Sequence, residues 1–140
     1  MTELTMYDIS GAPPSVVFGD QWHDFLLKGA EAGSIDRLKA KLEVSDDALS
    51  PLLGVSEKTL ARTRKSRARL DPGISDRVYR VAKVAALAVD VFEKHEAALS
   101  WLKRKQPGLG GRTPLSLLST SAGIEMVEQL LHRIEYGVYS

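Results

Sequence analysis

Apolar residues recur every three or four positions along most of the chain, which is the spacing of one face of a helix. The two longest such stripes consist of Val78, Val81, Ala85, Ala88 and Phe92, and of Ile124, Val127, Leu131 and Ile134. No segment shows the sustained alternation of apolar and polar residues that is typical of a strand. The sequence therefore predicts an all-α fold.

Capping residues and breakers divide this pattern into helices. Ser34, Ser45 and Ser56 precede apolar-periodic segments, so we predict helices over residues 35–42, 46–53 and 57–65, after a first helix over 21–30. The sequence Asp71-Pro72-Gly73 predicts a turn, and Ser75 is predicted to cap a long helix with a break near Lys94. Later helices are predicted to begin at Thr113-Pro114 and at 119–121.

Three regions follow from this division. Residues 1–20 contain two glycines and two prolines with little periodicity, which predicts a flexible or loosely docked arm. Residues 21–74 are predicted to form one helical module and residues 75–140 a linking helix with a second module.

Residues 46–65 have the features of a helix-turn-helix. Ser50 is a small residue where the two helices would approach, and Gly54 stands in the turn. Ser56 would begin the recognition helix. The side chains expected to pack the two helices together are Leu49, Leu53, Val55 and Leu60.

Positive charge is concentrated on the recognition helix and the residues after it. The whole chain has a net charge of +1, yet residues 57–69 include six basic residues and one acidic residue. DNA contacts are predicted for Ser56, Glu57, Lys58, Thr59, Arg62, Arg64, Lys65, Arg67 and Arg69, the last four of the basic residues contacting phosphates. A single module reads DNA poorly, so a homodimer is expected. The alternative is a solvated basic face on an ordinary helical hairpin.

Composition argues against several other classes of protein. The chain has no cysteine, and its three histidines show no third ligand at metal-binding spacing, so we expect no metal site, no cofactor and no enzyme activity. The glycines at 108–111 lack the lysine and the preceding strand of a phosphate-binding loop. No signal sequence or apolar run of 18 residues is evident, so the expected compartment is the cytoplasm, with no membrane partner.

The last forty residues combine a Pro/Gly turn, a Thr-Pro helix start, an apolar helix and an aromatic end, WLKRKQPGLGGRTPLSLLSTSAGIEMVEQLLHRIEYGVYS. Gly137 is predicted to end the last helix. Tyr136, Val138 and Tyr139 would then form an apolar anchor at an interface, or alternatively a tail folded back on its own helix.

This run resembles the toxin-binding domain of Xre/MbcA/ParS antitoxins, and the upstream segment from about residue 33 to 80 resembles the Xre-like helix-turn-helix. The ordered matches are Trp101, Leu102, Pro107, Leu109, Gly110, Gly111, Thr113, Pro114, Leu117, Leu118, Thr120, Gly123, Val127, Leu130, Arg133, Ile134, Glu135, Gly137 and Val138. The resemblance covers about three quarters of the chain.

The resemblance implies an antitoxin that covers the NAD pocket of a RES-type toxin and represses its own promoter. The residues expected to contact the toxin are Trp101, Leu109, Arg112, Arg133, Glu135, Tyr136, Val138 and Tyr139. The alternative is a stand-alone dimeric transcriptional regulator whose second module only dimerises.

Overall fold

The structure, a computed structural model, describes residues 6–137. Within that range the chain is helical and contains no strand, which confirms the all-α prediction. The helices are α1 (Met6–Ser10), α2 (Gly19–Lys28), α3 (Ser34–Leu42), α4 (Asp46–Leu53), α5 (Glu57–Lys65), α6 (Pro72–Phe92), α7 (His95–Lys103), α8 (Pro114–Leu117) and α9 (Ser121–Glu135), with a 3₁₀ turn at Pro107–Leu109.

Side-chain caps begin several of these helices where the sequence predicts them. The hydroxyls of Ser45, Ser56 and Thr113 accept hydrogen bonds from the backbone N–H groups three residues later, at 3.2, 3.1 and 3.3 Å. Each bond satisfies one of the N–H groups that a helix start leaves without a partner. Thr120 caps α9 in the same way, so that helix starts at Ser121.

The start of α6 differs from the prediction. Asp71 is the cap, because its carboxylate accepts a 2.9 Å hydrogen bond from the Ile74 N–H, and Pro72 occupies the first helical position, where no N–H donor is needed. Ser75 is not a cap; it is fully buried in the first turn of α6. Its hydroxyl accepts from the Ala30 N–H at 2.9 Å and donates to the Leu70 carbonyl oxygen at 3.2 Å, so it joins the end of α2 to α6.

Replacing Ser75 with alanine is expected to destabilise the fold. The substitution leaves the buried Ala30 N–H without its acceptor, which costs about 1–3 kcal/mol. Equilibrium urea unfolding of S75A measures the loss, and S100A, at an exposed serine of α7, is the matched control expected within about 0.5 kcal/mol of wild type. Equal stability of S75A and S100A would contradict the role assigned to this hydroxyl.

The prediction of a flexible arm over residues 1–20 is wrong for residues 6–20. Ile9 is fully buried, and its carbonyl oxygen accepts a 2.9 Å hydrogen bond from the Arg37 guanidinium. Tyr7 packs on Trp22 with 5.2 Å between ring centroids, and Trp22 packs on Tyr79 of α6 at 5.0 Å. One buried isoleucine and an aromatic cluster are enough to hold this segment on the fold, and the proline and glycine content concealed them.

Helix α6 lies at the centre of the molecule. It contacts α1, α2, α3 and α4 on one side and α7 and α9 on the other. It ends at Phe92, Glu93 adopts a left-handed conformation (φ 65°), and α7 begins at His95, which confirms the predicted break near Lys94. Both predicted modules contribute to one continuous core, from Ile9 to Leu131, so the boundary predicted at residue 75 does not divide the fold into two separate cores.

Candidate DNA and toxin interfaces

Helices α4 and α5 form the predicted helix-turn-helix. Gly54 has a left-handed backbone (φ 67°), which glycine adopts without strain, and it turns the chain between the two helices. Ser50 is buried where they approach. The apolar side chains that pack the helices together are the predicted ones, with Leu49, Leu53 and Leu60 buried and Val55 half-buried.

The outer surface of α5 carries most of the predicted DNA-contacting side chains. Thr59 is half-buried and its hydroxyl receives a 3.1 Å hydrogen bond from the Ser56 hydroxyl. The exposed members of the predicted set are Ser56, Glu57, Lys58, Arg62, Lys65, Arg67 and Arg69. Four lysine and arginine side chains in this group, Lys58, Arg62, Lys65 and Arg67, form what we call the α5 basic face.

Arg64 does not belong to that face. Its Nε donates to Asp36 of α3 at 2.7 Å, and its Nη1 donates to both carboxylate oxygens of Asp46 in α4, at 2.7 and 2.8 Å. The structure therefore places Arg64 in an internal network that fixes α5 against α3 and α4. The prediction that Arg64 contacts a phosphate rests on its place in a basic run. Its two carboxylate partners are 28 and 18 residues away in the chain, so the sequence does not reveal them.

Arg69 is also partly engaged within the chain. Its guanidinium donates to the carbonyl oxygen of Gly29 at 2.9 Å. This contact ties the segment after α5 to the end of α2, next to the hydrogen bond between the Leu70 N–H and the Ala30 carbonyl oxygen. Arg69 thus has a structural contact of its own, whereas the Arg62, Lys65 and Arg67 side chains have no ion-pair partner among residues 6–137.

The pKa of Asp46 is lowered from its ordinary value, chiefly by the hydrogen bond from Lys39 and further by the charges of Arg64 and Lys39. Because the folded-state pKa lies below the unfolded one, the stabilisation is present above the unfolded pKa and is lost as the pH falls through the folded pKa. We expect the difference in melting temperature between wild type and D46N to be largest near neutral pH and to shrink below about pH 3.9. A difference that stays constant from neutrality to acid would contradict this contribution.

Two residues predicted to contact a toxin are in the core. Trp101 is 6% exposed and packs against Phe92, with 5.4 Å between ring centroids. Leu109 is 2% exposed beneath the 3₁₀ turn. Trp101 and Leu109 therefore stabilise the module and present no surface to a partner. Their occurrence in the family pattern is explained by packing in the core.

The second module exposes the outer side of α9. The residues Ala122, Glu125, Met126, Gln129, His132 and Tyr136 are all exposed and recur at spacings of three and four, so they form one stripe, here called the α9 outer face. Tyr136 is 74% exposed and stacks on His132, with 6.5 Å between ring centroids. Gly137 follows with φ 73°, as predicted for a helix end.

This face includes residues that the sequence prediction did not name. Met126 is a large apolar residue outside the buried stripe of its helix. An apolar residue at such a position indicates a contact surface, and the sequence alone could have identified it in this way. Of the predicted toxin contacts, Arg112 and Glu135 are exposed and Arg133 is half-buried. Val138 and Tyr139 lie outside the residues that the structure describes.

Comparison with known proteins matches both modules. Residues 21–83 match the family described as the antitoxin Xre-like helix-turn-helix domain, and residues 87–137 match the antitoxin Xre/MbcA/ParS C-terminal toxin-binding domain. An "Antitoxin Xre" of Yersinia enterocolitica is 31% identical over 118 residues, which cover 84% of this chain and 80% of the relative. The chain belongs to the Xre/MbcA/ParS-type antitoxins.

Other relatives of the antitoxin agree with this assignment. An "Antitoxin Xre" of Photorhabdus laumondii is 29% identical over 124 residues, covering 87% of this chain and 83% of the relative. A protein of Sphingobium sp. named "Prs ADP-ribosylating antitoxin" is 28% identical over 124 residues, covering 82% of this chain and 78% of the relative.

The antitoxin therefore joins a DNA-binding domain to a toxin-binding domain, as one component of a toxin–antitoxin system. The stretch from residue 6 to 137 contains no helix long and apolar enough to cross a membrane. It also contains no group of three or more histidine, aspartate or glutamate side chains arranged to hold a metal ion.

Proposed function

We propose that this antitoxin neutralises a RES-type toxin, which consumes NAD or transfers ADP-ribose from it, by covering the toxin's active site, and that it represses its own promoter as a homodimer. The observation that carries the first part is the α9 outer face. It is the continuous exposed stripe of the module that matches toxin-binding domains, and it includes an apolar methionine and a tyrosine.

The chemistry of the α9 outer face suits a pocket built for NAD. Such a pocket accepts aromatic rings and hydrogen-bonding groups, and the stacked pair of His132 and Tyr136 offers both. Met126 is unbranched and polarizable, so it adapts its shape to the rim of a cleft. The name of the Sphingobium relative associates that protein with ADP-ribosylation, which supports a toxin of this chemical class.

The DNA-binding part of the proposal rests on the α5 basic face. Ser56 caps α5 at its N-terminal end, and the exposed side chains of Glu57, Lys58 and Arg62 are available for a major groove, while Lys65 and Arg67 would contact the flanking phosphates. A two-fold homodimer would place two such helices on half-sites about one helical turn of DNA apart, roughly 34–36 Å.

Co-expression with the adjacent reading frame tests the toxin assignment. We expect the two proteins to co-purify, and we expect NAD in the host to fall when the neighbour is expressed alone and to stay normal when the antitoxin is present. A double variant, Q129A/Y136A, should restore NAD loss. Absence of both complex and toxicity would overturn the toxin assignment and favour the stand-alone transcriptional regulator.

Titration of the DNA upstream of the antitoxin's own reading frame tests the repressor assignment. We expect a footprint with two-fold symmetry and loss of reporter repression in R62Q, whose side chain is exposed and unpaired within the described residues. Full repression by R62Q and R67Q together would contradict the assignment of this surface to DNA.

Toxin binding is expected to change operator affinity. Helix α6 connects both modules: Arg77 donates to the Ser119 carbonyl oxygen at 3.1 Å, and Arg80 contacts the Ser121 hydroxyl at the start of α9. A toxin seated on α9 would therefore act on the helix that packs against α4, and α4 in turn packs against α5. Operator titrations with and without saturating toxin measure the coupling, and identical dissociation constants would remove it.

A further inference from the structure

The toxin-binding module carries a second group of cations, away from α5. Lys103 ends α7, Arg104 and Lys105 follow it, and Arg112 lies beside them because an isolated bridge pairs residues 106 and 112. The Gln106 N–H donates to the Arg112 carbonyl oxygen at 3.0 Å, and the turn between them is closed by a 3.0 Å hydrogen bond from the Gly111 N–H to the Gln106 carbonyl oxygen. We call residues 103–112 the basic loop.

Most of the charges of the basic loop have no ionic partner within the described residues. All four side chains are exposed, and Arg104, Lys105 and Arg112 have no ion-pair partner in the described range 6–137. The dipole of α7 favours cations in its last turn, which accounts for Lys103 and Arg104, but the effect fades beyond the helix end. Lys105 and Arg112 therefore have no structural role that explains their charge.

One end of the basic loop contacts the connection that precedes the helix-turn-helix. The Lys103 ammonium donates to the carbonyl oxygen of Glu43 at 2.7 Å, and Glu43 belongs to the connection between α3 and α4. In a docked helix-turn-helix the first helix crosses the DNA backbone while the second enters the major groove. The start of α4 is then close to a phosphate strand, and three residues from Glu43 to Asp46 span at most about 11 Å.

We propose that the basic loop binds DNA phosphates beside the site read by α5, so that the toxin-binding module takes part in operator binding. This inference rests on the proposed DNA binding by α5. Glu43 and Asp47 place negative charge at the start of α4, and the cations of the loop offset it where the phosphate strand would approach. Phosphate contacts supply affinity without sequence preference, so the loop strengthens binding and leaves the operator sequence to α5.

The experiment compares the salt dependence of binding for three full-length proteins: wild type, R104Q/K105Q, and the control K83Q/K94Q. The control removes the same amount of charge from two exposed lysines, one in the middle of α6 and one just after its end. The probe is the duplex upstream of the antitoxin's own reading frame. Each phosphate contact contributes about 0.9 to the slope of log affinity against log salt, so R104Q/K105Q should lower the slope by about 1.8 per protomer, or about 3.6 for the proposed homodimer, with at least several-fold weaker binding at physiological salt. The control should match wild type.

The outcomes separate this inference from the one it rests on. If wild type shows no salt-dependent binding, DNA binding itself is overturned. If wild type binds and R104Q/K105Q has the slope of the control, the basic-loop inference alone is overturned. If R104Q/K105Q instead loses toxin in co-purification while its slope is unchanged, the loop is a toxin contact. Equal thermal unfolding of the three proteins shows that both variants keep their fold.

Discussion

Replacing Met126 with aspartate is expected to abolish toxin neutralisation while leaving the fold and DNA binding intact. Met126 is 37% exposed near the middle of the α9 outer face, so the solvated free protein tolerates a carboxylate there. In the complex the same charge would be buried without a partner, at a cost of about 3 kcal/mol, which weakens toxin binding more than 100-fold. Competition binding with purified toxin measures this loss, and recovery of host NAD reports it in cells.

The matched control for this substitution is L27D. Leu27 is 57% exposed on α2, in the other module, so the change is chemically the same but lies away from α9. We expect L27D to neutralise the toxin as wild type does. Normal neutralisation by M126D would show that the toxin binds another surface, and the exposed Arg112 side of the module would then become the next candidate.

Local signals carried the successful part of the sequence prediction. The features that were predicted correctly depend on contacts within three or four residues, so both partners of each contact are close together in the sequence. They are the caps Ser45, Ser56 and Thr113 and the turn residue Gly54. The helix-turn-helix could therefore be predicted almost to the residue. The end of α9 could be predicted for the same reason, because Gly137, just after the helix, adopts the left-handed conformation that terminates helices.

Long-range contacts account for the errors. In the sequence Arg64 is one of several cations in a basic run, and a DNA contact is predicted for it. In the fold it pairs instead with Asp36 and Asp46. Trp101 belongs to the family pattern and is large and aromatic, which fits an interface anchor as well as a core residue, and only its packing on Phe92 decides between them. Ile9 was missed because Gly11, Pro13 and Pro14 follow it and favour a loop, although Ala12 and Val16 of the same segment are also buried.

The contrast between Arg62 and Arg64 gives the sharpest test of how α5 meets DNA. Arg62 is exposed and unpaired within residues 6–137, whereas the Arg64 side chain is 28% exposed and holds two carboxylates. R62Q should weaken operator binding by about 1–3 kcal/mol per protomer, roughly 5- to 150-fold, and a lost phosphate contact would also lower the salt slope by about 1 per protomer.

R64Q should behave differently, because its charge is already matched inside the protein. We expect its salt slope to equal that of wild type, since no phosphate contact is lost, while the free energy of unfolding falls by about 1 kcal/mol from the broken network with Asp36 and Asp46. Salt-series titrations and urea unfolding of both variants measure the two effects. A slope lowered by about 1 in R64Q would mean that Arg64 leaves its carboxylates for DNA, and α5 would then shift against α3 and α4 on binding.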